Sequence, residues 1–452
     1  MPKKTARTLD AAAGQHALKV ESRPLAWFRP DPKNARTHPR KQLAQLQASI
    51  ERFGLNAPIV ANAEGLILAG HARHAAVKAL GWAEAPALIV EHLDGDAQRA
   101  FAIADNRLAE LAGWDMDVLA EEFRDLAANL DLAFPLELTG FDGAALDGLL
   151  DPPRLGDDEA DRVPELKGPV VTRTGDVWVM GRHRLVCGDA LEAATYAAVM
   201  GEDRARMVFT DPPYNVEIDG FAGGKGKVER GQFAMASGEM TKAQFTGFLT
   251  DTHRLAAGFC VDGAILFSCM DWRHMGEMLS AGEAVGLELK NLNVWGKTNA
   301  GMGTFYRSQH ELVFVWKVGG AEHVNTFGLG DKGRHRTNLW TYPGANSFGR
   351  ARDSELEMHP TVKPVAMVVD AIKDVSNRRD VVLDPFGGSG TTLIAAQKTG
   401  RRARLIEYEG KYCDVIVRRW ELHTGETAVL EGTGQDFGQV AATRAGEALE
   451  AA

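Results

Sequence analysis

A chain of 452 residues, 45% hydrophobic and 25% charged, has ordinary globular composition and the length of two or three domains. No apolar run approaches the roughly 20 residues of a membrane span, and Met1 to Val20 lacks the continuous apolar core of a secretory leader. A net charge of −10 argues against a nucleic-acid coat, yet Lys290 to Arg352 holds nine Lys or Arg against three acids, a local basic patch that attracts a phosphate backbone. The cysteines Cys187, Cys260, Cys269 and Cys413 show no paired metal-ligand spacing, which predicts reduced thiols, a cytoplasmic protein and no metal site.

Residues 21–135 read as a small αβ domain behind a flexible 1–20 stretch. Pro39 to Phe53 has a proline near its start, Leu43, Leu46 and Ile50 on one face, and Gly54 at its end, which predicts a helix. Strands follow at Ala57–Ala61 and Leu66–Ala69, turned at Glu64-Gly65, then a helix from His71 to Leu80 and a strand at Ala87–Val90. Two amphipathic helices are expected over Gly95–Ala112 and Met116–Leu130. Residues 136–169, rich in Asp, Glu, Pro and Gly, read as an acidic linker.

From 170 to 430 strands and helices alternate. Asp176–Met180 and His183–Cys187 predict a hairpin turned at Gly181-Arg182. Strands are expected to end at Asp211 and to cover Ala264–Cys269, Leu292–Trp295 and Leu312–Trp316, with a strand-helix-strand-helix unit from Val381 to Leu422. The stretch 431–452 reads as a flexible tail. The alternation predicts an α/β fold with a mostly parallel sheet, in which ligands bind at the carboxyl edge.

Two stretches stand at such an edge. Asp211-Pro212-Pro213-Tyr214 follows the apolar Met207-Val208-Phe209. An exocyclic amine of a base is a poor nucleophile because its lone pair is delocalised into the ring. Asp211 can accept a hydrogen bond from one N–H, the rigid Pro212 carbonyl from the other, and Tyr214 offers a face for the base. Such a base must first leave the duplex. The look-alike Asp151-Pro152-Pro153-Arg154 lacks the aromatic residue and reads as a turn. The second stretch, Asp384-Pro385-Phe386-Gly387-Gly388-Ser389-Gly390-Thr391, follows Val381-Val382-Leu383 and opens a helix, an arrangement suited to a nucleoside-type cofactor. Glu407 ends the next strand, where an acid can accept from both ribose hydroxyls. The turn has neither the dinucleotide glycine spacing nor a Gly-Lys-Ser/Thr grip, so a nicotinamide cofactor and ATP are disfavoured.

With these motifs, residues 176–430 resemble the amino-group DNA methyltransferases of the β order, in which Asp-Pro-Pro-Tyr precedes a target-recognition region and Phe-x-Gly-x-Gly comes last. His359-Pro360-Thr361-Val362-Lys363-Pro364, Gly188-Asp189-Ala190, Trp295-Gly296-Lys297 and Arg307-Ser308-Gln309-His310-Glu311 also match family segments. The resemblance implies a Rossmann-like core, S-adenosyl-L-methionine as cofactor and double-stranded DNA as partner. Asp211, Pro212 and Tyr214 are then catalytic. Asp189, Thr361, Lys363, Asp384, Phe386, Gly388, Gly390 and Glu407 would hold the cofactor. Asp-Pro-Pro-Tyr leans toward adenine N6 and leaves cytosine N4 as the alternative. A recognition region is expected over 321–357, with Arg307, Arg334, Arg336, Asn338 and Arg350 as DNA contacts. Lys225, Lys227 and Arg230 read as a loop that closes over DNA. A homodimer and a restriction-modification setting follow from the family.

The 25–112 region resembles the N-terminal domain of ParB-type partition proteins, through Leu68-Ala69-Gly70-His71-Ala72-Arg73 and Ala104-Asp105-Asn106-Arg107. This implies CTP or another nucleoside triphosphate at Gly70, His71, Arg73, Asn106 and Arg107. The sequence departs from the family where His71 and Ala72 replace a glutamate and an arginine, which leaves a scaffold that holds DNA or pairs subunits as the alternative. A nucleotide-dependent DNA-binding switch with an inactive methyltransferase half is the competing overall reading, and the intact Asp211 and Tyr214 argue against it.

Overall fold

The computed structural model describes residues 20–129, 134–150, 161–164, 166, 168–215, 238–297, 305–327, 336–343 and 362–450. Two compact units divide it, Met1–Asp142 and Gly143–Ala452. The expected turn at Asp151, the loop lysines at 225 and 227, and the expected site residues Arg334, Arg350 and Thr361 lie outside the described residues.

The first unit contains β1 (Val20–Pro24), α1 (Arg40–Phe53), β2 (Ile59–Asn62), β3 (Ile67–Ala69), α2 (His71–Ala79), β4 (Glu84–Val90), α3 (Gly95–Leu111) and α4 (Met116–Ala128). Its sheet has the order β1-β4-β2-β3, with β2 parallel to β4 and the other pairs antiparallel. Pro39 caps α1, and Gly54, at φ 82°, releases the chain from it. Asp94 caps α3 by accepting from the Ala97 amide at 2.9 Å. Phe28, Ile50, Ile59, Ile67 and Val77 form the core between helices and sheet. β1 has no buried residue, so its sequence shows no apolar alternation to reveal it.

The second unit contains α5 (Gly143–Leu150), β5 (Val177–Met180), β6 (His183–Cys187), α6 (Ala193–Met200), β7 (Ala205–Thr210), α7 (Lys242–Gly258) and β8 (Cys260–Met270). It continues with α8 (Met275–Val285), β9 (Glu288–Lys297), β10 (His310–Lys317), β11 (Leu339–Tyr342), α9 (Val365–Val375), β12 (Val381–Asp384), α10 (Thr391–Thr399), β13 (Arg402–Glu407), α11 (Gly410–Thr424), β14 (Val429–Leu430) and α12 (Phe437–Glu450). A ten-stranded sheet runs β11-β9-β10-β8-β7-β12-β13-β6-β5-β14. The central run β8-β7-β12-β13-β6 is parallel, which is the mostly parallel Rossmann-like layout. Central strands buried on both faces read as continuous apolar runs, and β7 and β12 do. Large apolar clusters cover the two faces, one including Trp178, Phe209, Val368 and Ile416, the other Tyr196, Phe245, Phe314 and Leu383.

Two expectations need correction. The stretch 136–169 is more than a linker. It carries a short helical turn at Leu136–Thr139 and then α5, on which Leu146 and Asp147 are buried. Asp147 binds the fully buried Arg401 through both oxygens, at 2.8 and 2.9 Å, and meets Arg378 at 3.3 Å. Asp161 accepts from the Val365 amide at 2.8 Å, capping the start of α9. The acids that suggested a solvated linker are thus partly partners for buried cations and helix ends. The supposed flexible tail also folds. Phe437–Glu450 form α12, Phe437 packs on Trp178, and Arg444 grips both oxygens of Asp176 at 2.5 and 2.9 Å.

Candidate active site

β7 and β12 are hydrogen-bonded neighbours, with Val208 opposite Leu383, so the two loops that follow them emerge side by side at the carboxyl edge. Pro212 of the first loop and Pro385 and Phe386 of the second line one small cavity together with Thr210 and His253. His253 is locked there between the Leu249 carbonyl and the Ser268 hydroxyl, each 2.7 Å away. Asn215 closes the first loop. It has φ 54°, a conformation that Asn tolerates better than most residues, and its side chain binds the Gly238 amide and both backbone groups of Met240.

Asp211 lies in a buried cluster of charges. Its Oδ1 accepts from the Tyr214 hydroxyl at 2.5 Å and its Oδ2 from the Lys363 ammonium at 2.5 Å. Lys363 Nζ is 3.1 Å from the Tyr214 oxygen and 3.1 Å from Glu311 Oε2. Glu311 Oε1 in turn binds Lys297 Nζ at 2.5 Å. Both ammonium groups lie against the Trp295 ring, Lys297 at 4.8 Å and Lys363 at 5.9 Å from its centre. Two carboxylates and two ammonium groups balance in charge. Burial lifts Asp211 above the ordinary carboxylate range, against the pull of Lys363. Burial alone would raise Glu311 as well, but Lys363 and Lys297 outweigh it and hold the group at about 2. Burial opposes the charge on Lys363, yet Asp211 and Glu311 together push its pKa up and keep it protonated.

The second loop is ordered from within. Asp384 Oδ1 accepts from the Phe386 amide at 3.1 Å and Oδ2 from the Thr392 hydroxyl at 2.6 Å, tying the loop to the first turn of α10. Burial raises Asp384 to about 8. Gly390 caps α10 at φ 84°, and a Cβ there would come within 3.2 Å of Ile416. Gly388 also has positive φ, and its amide donates to Glu407 Oε2 at 2.8 Å. Glu407 Oε1 accepts from the Glu409 amide at 2.9 Å, and burial raises this carboxyl to about 7. The glycine loop and Glu407 are therefore joined directly. Each carboxylate oxygen keeps a second lone pair for a ligand hydroxyl. Asp189 Oδ1 accepts from the Leu191 amide at 2.8 Å, and the Gly188 amide donates to the Glu407 carbonyl, which brings that segment to the same edge.

Other expected residues fall differently. Lys363 sits on Asp211, an arrangement that its place beside a cofactor motif did not suggest. Arg336 is no free DNA-facing cation. Its guanidinium binds Asp374 at 3.0 Å and Asp370 at 3.3 Å, stacks over Trp340, and ties the β11 region to α9. Arg307 and Asn338 are exposed. In the first unit, Gly70 caps α2 in the left-handed region at φ 95° and Arg73 folds back over it, donating to the Pro58 carbonyl. His71 Nε2 accepts from the Asp31 amide, Asn106 donates to the Ala102 carbonyl, and Arg107 pairs with Glu110. The five residues expected at a triphosphate thus include four side chains already engaged within the unit. Among the described residues no group of His, Cys, Asp and Glu could hold a metal ion, and no helix is long and apolar enough to cross a membrane.

A Rossmann-like sheet with Asp-Pro-Pro-Tyr beside a glycine loop and a strand-end acid has the layout of an amino-group methyltransferase domain. Residues 205–418 match the N6/N4 family model described as DNA methylase. Residues 10–107 match the ParB N-terminal domain, and 117–174 match the ParB-methyltransferase HTH domain. The matched regions make this a fusion of an N6/N4 DNA methylase-family domain, residues 205–418, with a ParB-like N-terminal domain.

The type II methyltransferase M.ScaI of Streptomyces caespitosus is 38% identical over 89 residues, 20% of this chain and 29% of that protein. The type II methyltransferase M2.DpnII of Streptococcus pneumoniae is 25% identical over 237 residues, 50% of this chain and 86% of that protein. Among solved structures, the PvuII DNA methyltransferase (cytosine-N4-specific) aligns with a TM-score of 0.41 at 14% identity, covering 53% of this chain and 87% of that one.

Proposed function

We propose that this protein transfers a methyl group from S-adenosyl-L-methionine to the N6 amino group of adenine at specific sites in double-stranded DNA. The observation that carries the reading is the adjacency of the two loops: the Asp211 carboxylate leaves β7 beside the glycine loop and Glu407, which leave β12 and β13. The residues present fit the cofactor. Gly388 and Gly390 adopt positive φ in a turn that opens a helix, and Glu407 offers two buried acceptor oxygens at the end of the next strand. S-adenosyl-L-methionine supplies an electrophilic methyl group when bound.

The chain's own groups prepare the amine. Asp211 accepts a hydrogen bond from the extruded base's amino group and the Pro212 carbonyl accepts from the other N–H, which lets the nitrogen turn pyramidal. Tyr214 packs against the base. Phe386, against Phe248, walls the cofactor side. Asp384 acts at one remove, by holding the turn through Phe386 and Thr392. Asp-Pro-Pro-Tyr favours adenine, and N4 methylation of cytosine is the second reading. Arg307 and Asn338, both exposed, are the DNA contacts this reading retains from the described residues. CTP at the ParB-like domain, a homodimer and a cytoplasmic location belong to the proposal through resemblance alone. The test is expression in a host without DNA methylation, followed by single-molecule sequencing of its DNA. One sequence context carrying N6-methyladenine supports the reading, and an unmodified genome from a well-expressed protein refutes it.

A further inference from the structure

Each Asp211 oxygen already holds one short, strong hydrogen bond, so an incoming amine meets a carboxylate whose charge is committed to other donors. One oxygen accepts from the Tyr214 hydroxyl and the other from the Lys363 ammonium, both at 2.5 Å. An aromatic amine is a weaker donor than an ammonium group, so Asp211 turns fully to it only if the Lys363 charge has another partner close by. Glu311 is placed to be that partner. Its Oε2 lies 3.1 Å from Lys363 Nζ and 3.1 Å from the Tyr214 hydroxyl oxygen. The hydroxyl has a single proton and serves one carboxylate at a time; in this structure the nearer, Asp211, receives it. Lys297, bound to Oε1, anchors Glu311 from its far side. Each donor can therefore pass from one carboxylate to the other by a side-chain adjustment, with both ammonium groups still beside a carboxylate.

We infer that Glu311 is a positioning residue for methyl transfer: a second buried carboxylate that takes over the Lys363 ammonium and the hydrogen bond of the Tyr214 hydroxyl when the target amino group engages Asp211. The inference rests on the methyl-transfer reading above. It also gives a reason for two carboxylates and two ammonium groups in one pocket, since a lone Asp211–Lys363 pair would commit the acceptor's charge away from the base.

The experiment is a double-mutant cycle on single-turnover methyl transfer to duplex DNA, with cofactor affinity and melting temperature measured for each variant. Glu311→Gln removes the alternative charge and leaves Lys363 on Asp211. Its transfer rate is expected to fall roughly tenfold to a hundredfold, the scale of a misplaced catalytic group, with cofactor affinity unchanged. Adding Lys363→Met to that variant releases Asp211, and the double variant should be several-fold faster than Glu311→Gln. Glu311→Asp keeps the charge and should fall between wild type and Glu311→Gln, which guards against a Gln variant that fails to fold. A Glu311→Gln rate equal to wild type, or a double variant slower than Glu311→Gln, overturns the inference while the methyl-transfer reading stands. A wild type that transfers no methyl group to any DNA overturns both.

Discussion

Lys363 and Asp211, 152 residues apart in sequence, form a buried ion pair with Nζ 2.5 Å from Oδ2. The pair joins the segment that leads into α9 to the loop that follows β7, and it makes the carboxylate's charge state and its availability two separate questions. Lys363 keeps the charge favourable, while a substrate amine needs the same oxygen.

Removing the Asp211 carboxylate should therefore separate chemistry from binding. Asp211→Ala is expected to retain cofactor affinity within about twofold and to lose roughly a hundredfold or more in transfer rate, the scale for one preorganised group at a reacting atom. Calorimetry with the cofactor and a single-turnover assay check the two halves. Full activity in that variant would remove Asp211 from the mechanism.

Glu407 should show the opposite pattern. Glu407→Gln keeps the shape and removes the charge that two ligand hydroxyls would meet. A loss of about 1.5–3 kcal/mol is the usual range for hydrogen bonds to a charged group, or roughly tenfold to a hundredfold in cofactor affinity. The rate at saturating cofactor should change much less. Unchanged affinity would take the strand-end acid out of the cofactor site.

The interaction of α5 with the sheet domain gives a stability prediction. Asp147→Ala leaves Arg401, fully buried, without its bidentate partner, and Arg378 loses a contact. Breaking a buried pair by removing one member costs about 3–5 kcal/mol. Urea denaturation of the full chain should show that loss. A chain beginning at Val170 should be destabilised for the same reason, and one beginning at Gly143 should not. Equal stability of the two shortened chains would contradict the role given to α5.

Four buried groups pull stability in opposite directions as pH falls. Burial pushes Asp384 up to about 8 and Glu407 to about 7, far above the roughly 4 of an unfolded carboxyl. Between those values the folded protein binds protons that the unfolded chain releases, so stability rises as pH falls from 8.5 toward 6.5, by up to about 1.4 kcal/mol per unit for each group in range. Burial holds His183 at about 3 and His253 at about 4. Below about 6.5 the unfolded chain protonates both histidines and the folded one does not, which opposes further gain. Ligand-free protein should thus gain stability from pH 8.5 to about 6.5 and then level off. Asp384→Asn should flatten the upper limb. Denaturation curves that show no slope between pH 6.5 and 8.5 would contradict the burial argument.

Much of the parallel sheet and both loops were legible because their signal is local. An apolar run such as Met207-Val208-Phe209 ending at Asp-Pro-Pro-Tyr marks both the strand and the loop that ends it. The convergence of Lys363, Glu311 and Lys297 on Asp211 was not legible, since it joins residues from separate strands and a loop across more than 150 positions. Arg336 misled because an arginine in a basic run looks the same whether it faces phosphate or Asp370 and Asp374. α5 and α12 were hidden by composition. Aspartate beside glycine and proline reads as linker until the buried Arg401 that meets Asp147 is known, and the small residues of α12 conceal the anchors Phe437 and Arg444.

In the proposed function, Asp211 presents an exocyclic adenine amine for methylation. The most direct test is incubation of the purified full chain with methyl-labelled S-adenosyl-L-methionine and duplex DNA, followed by digestion and mass spectrometry of the nucleosides, with Asp211→Ala in parallel. Labelled N6-methyladenine is expected from the wild type and none above background from Asp211→Ala. Label confined to N4-methylcytosine, or equal label from both proteins, would contradict that function.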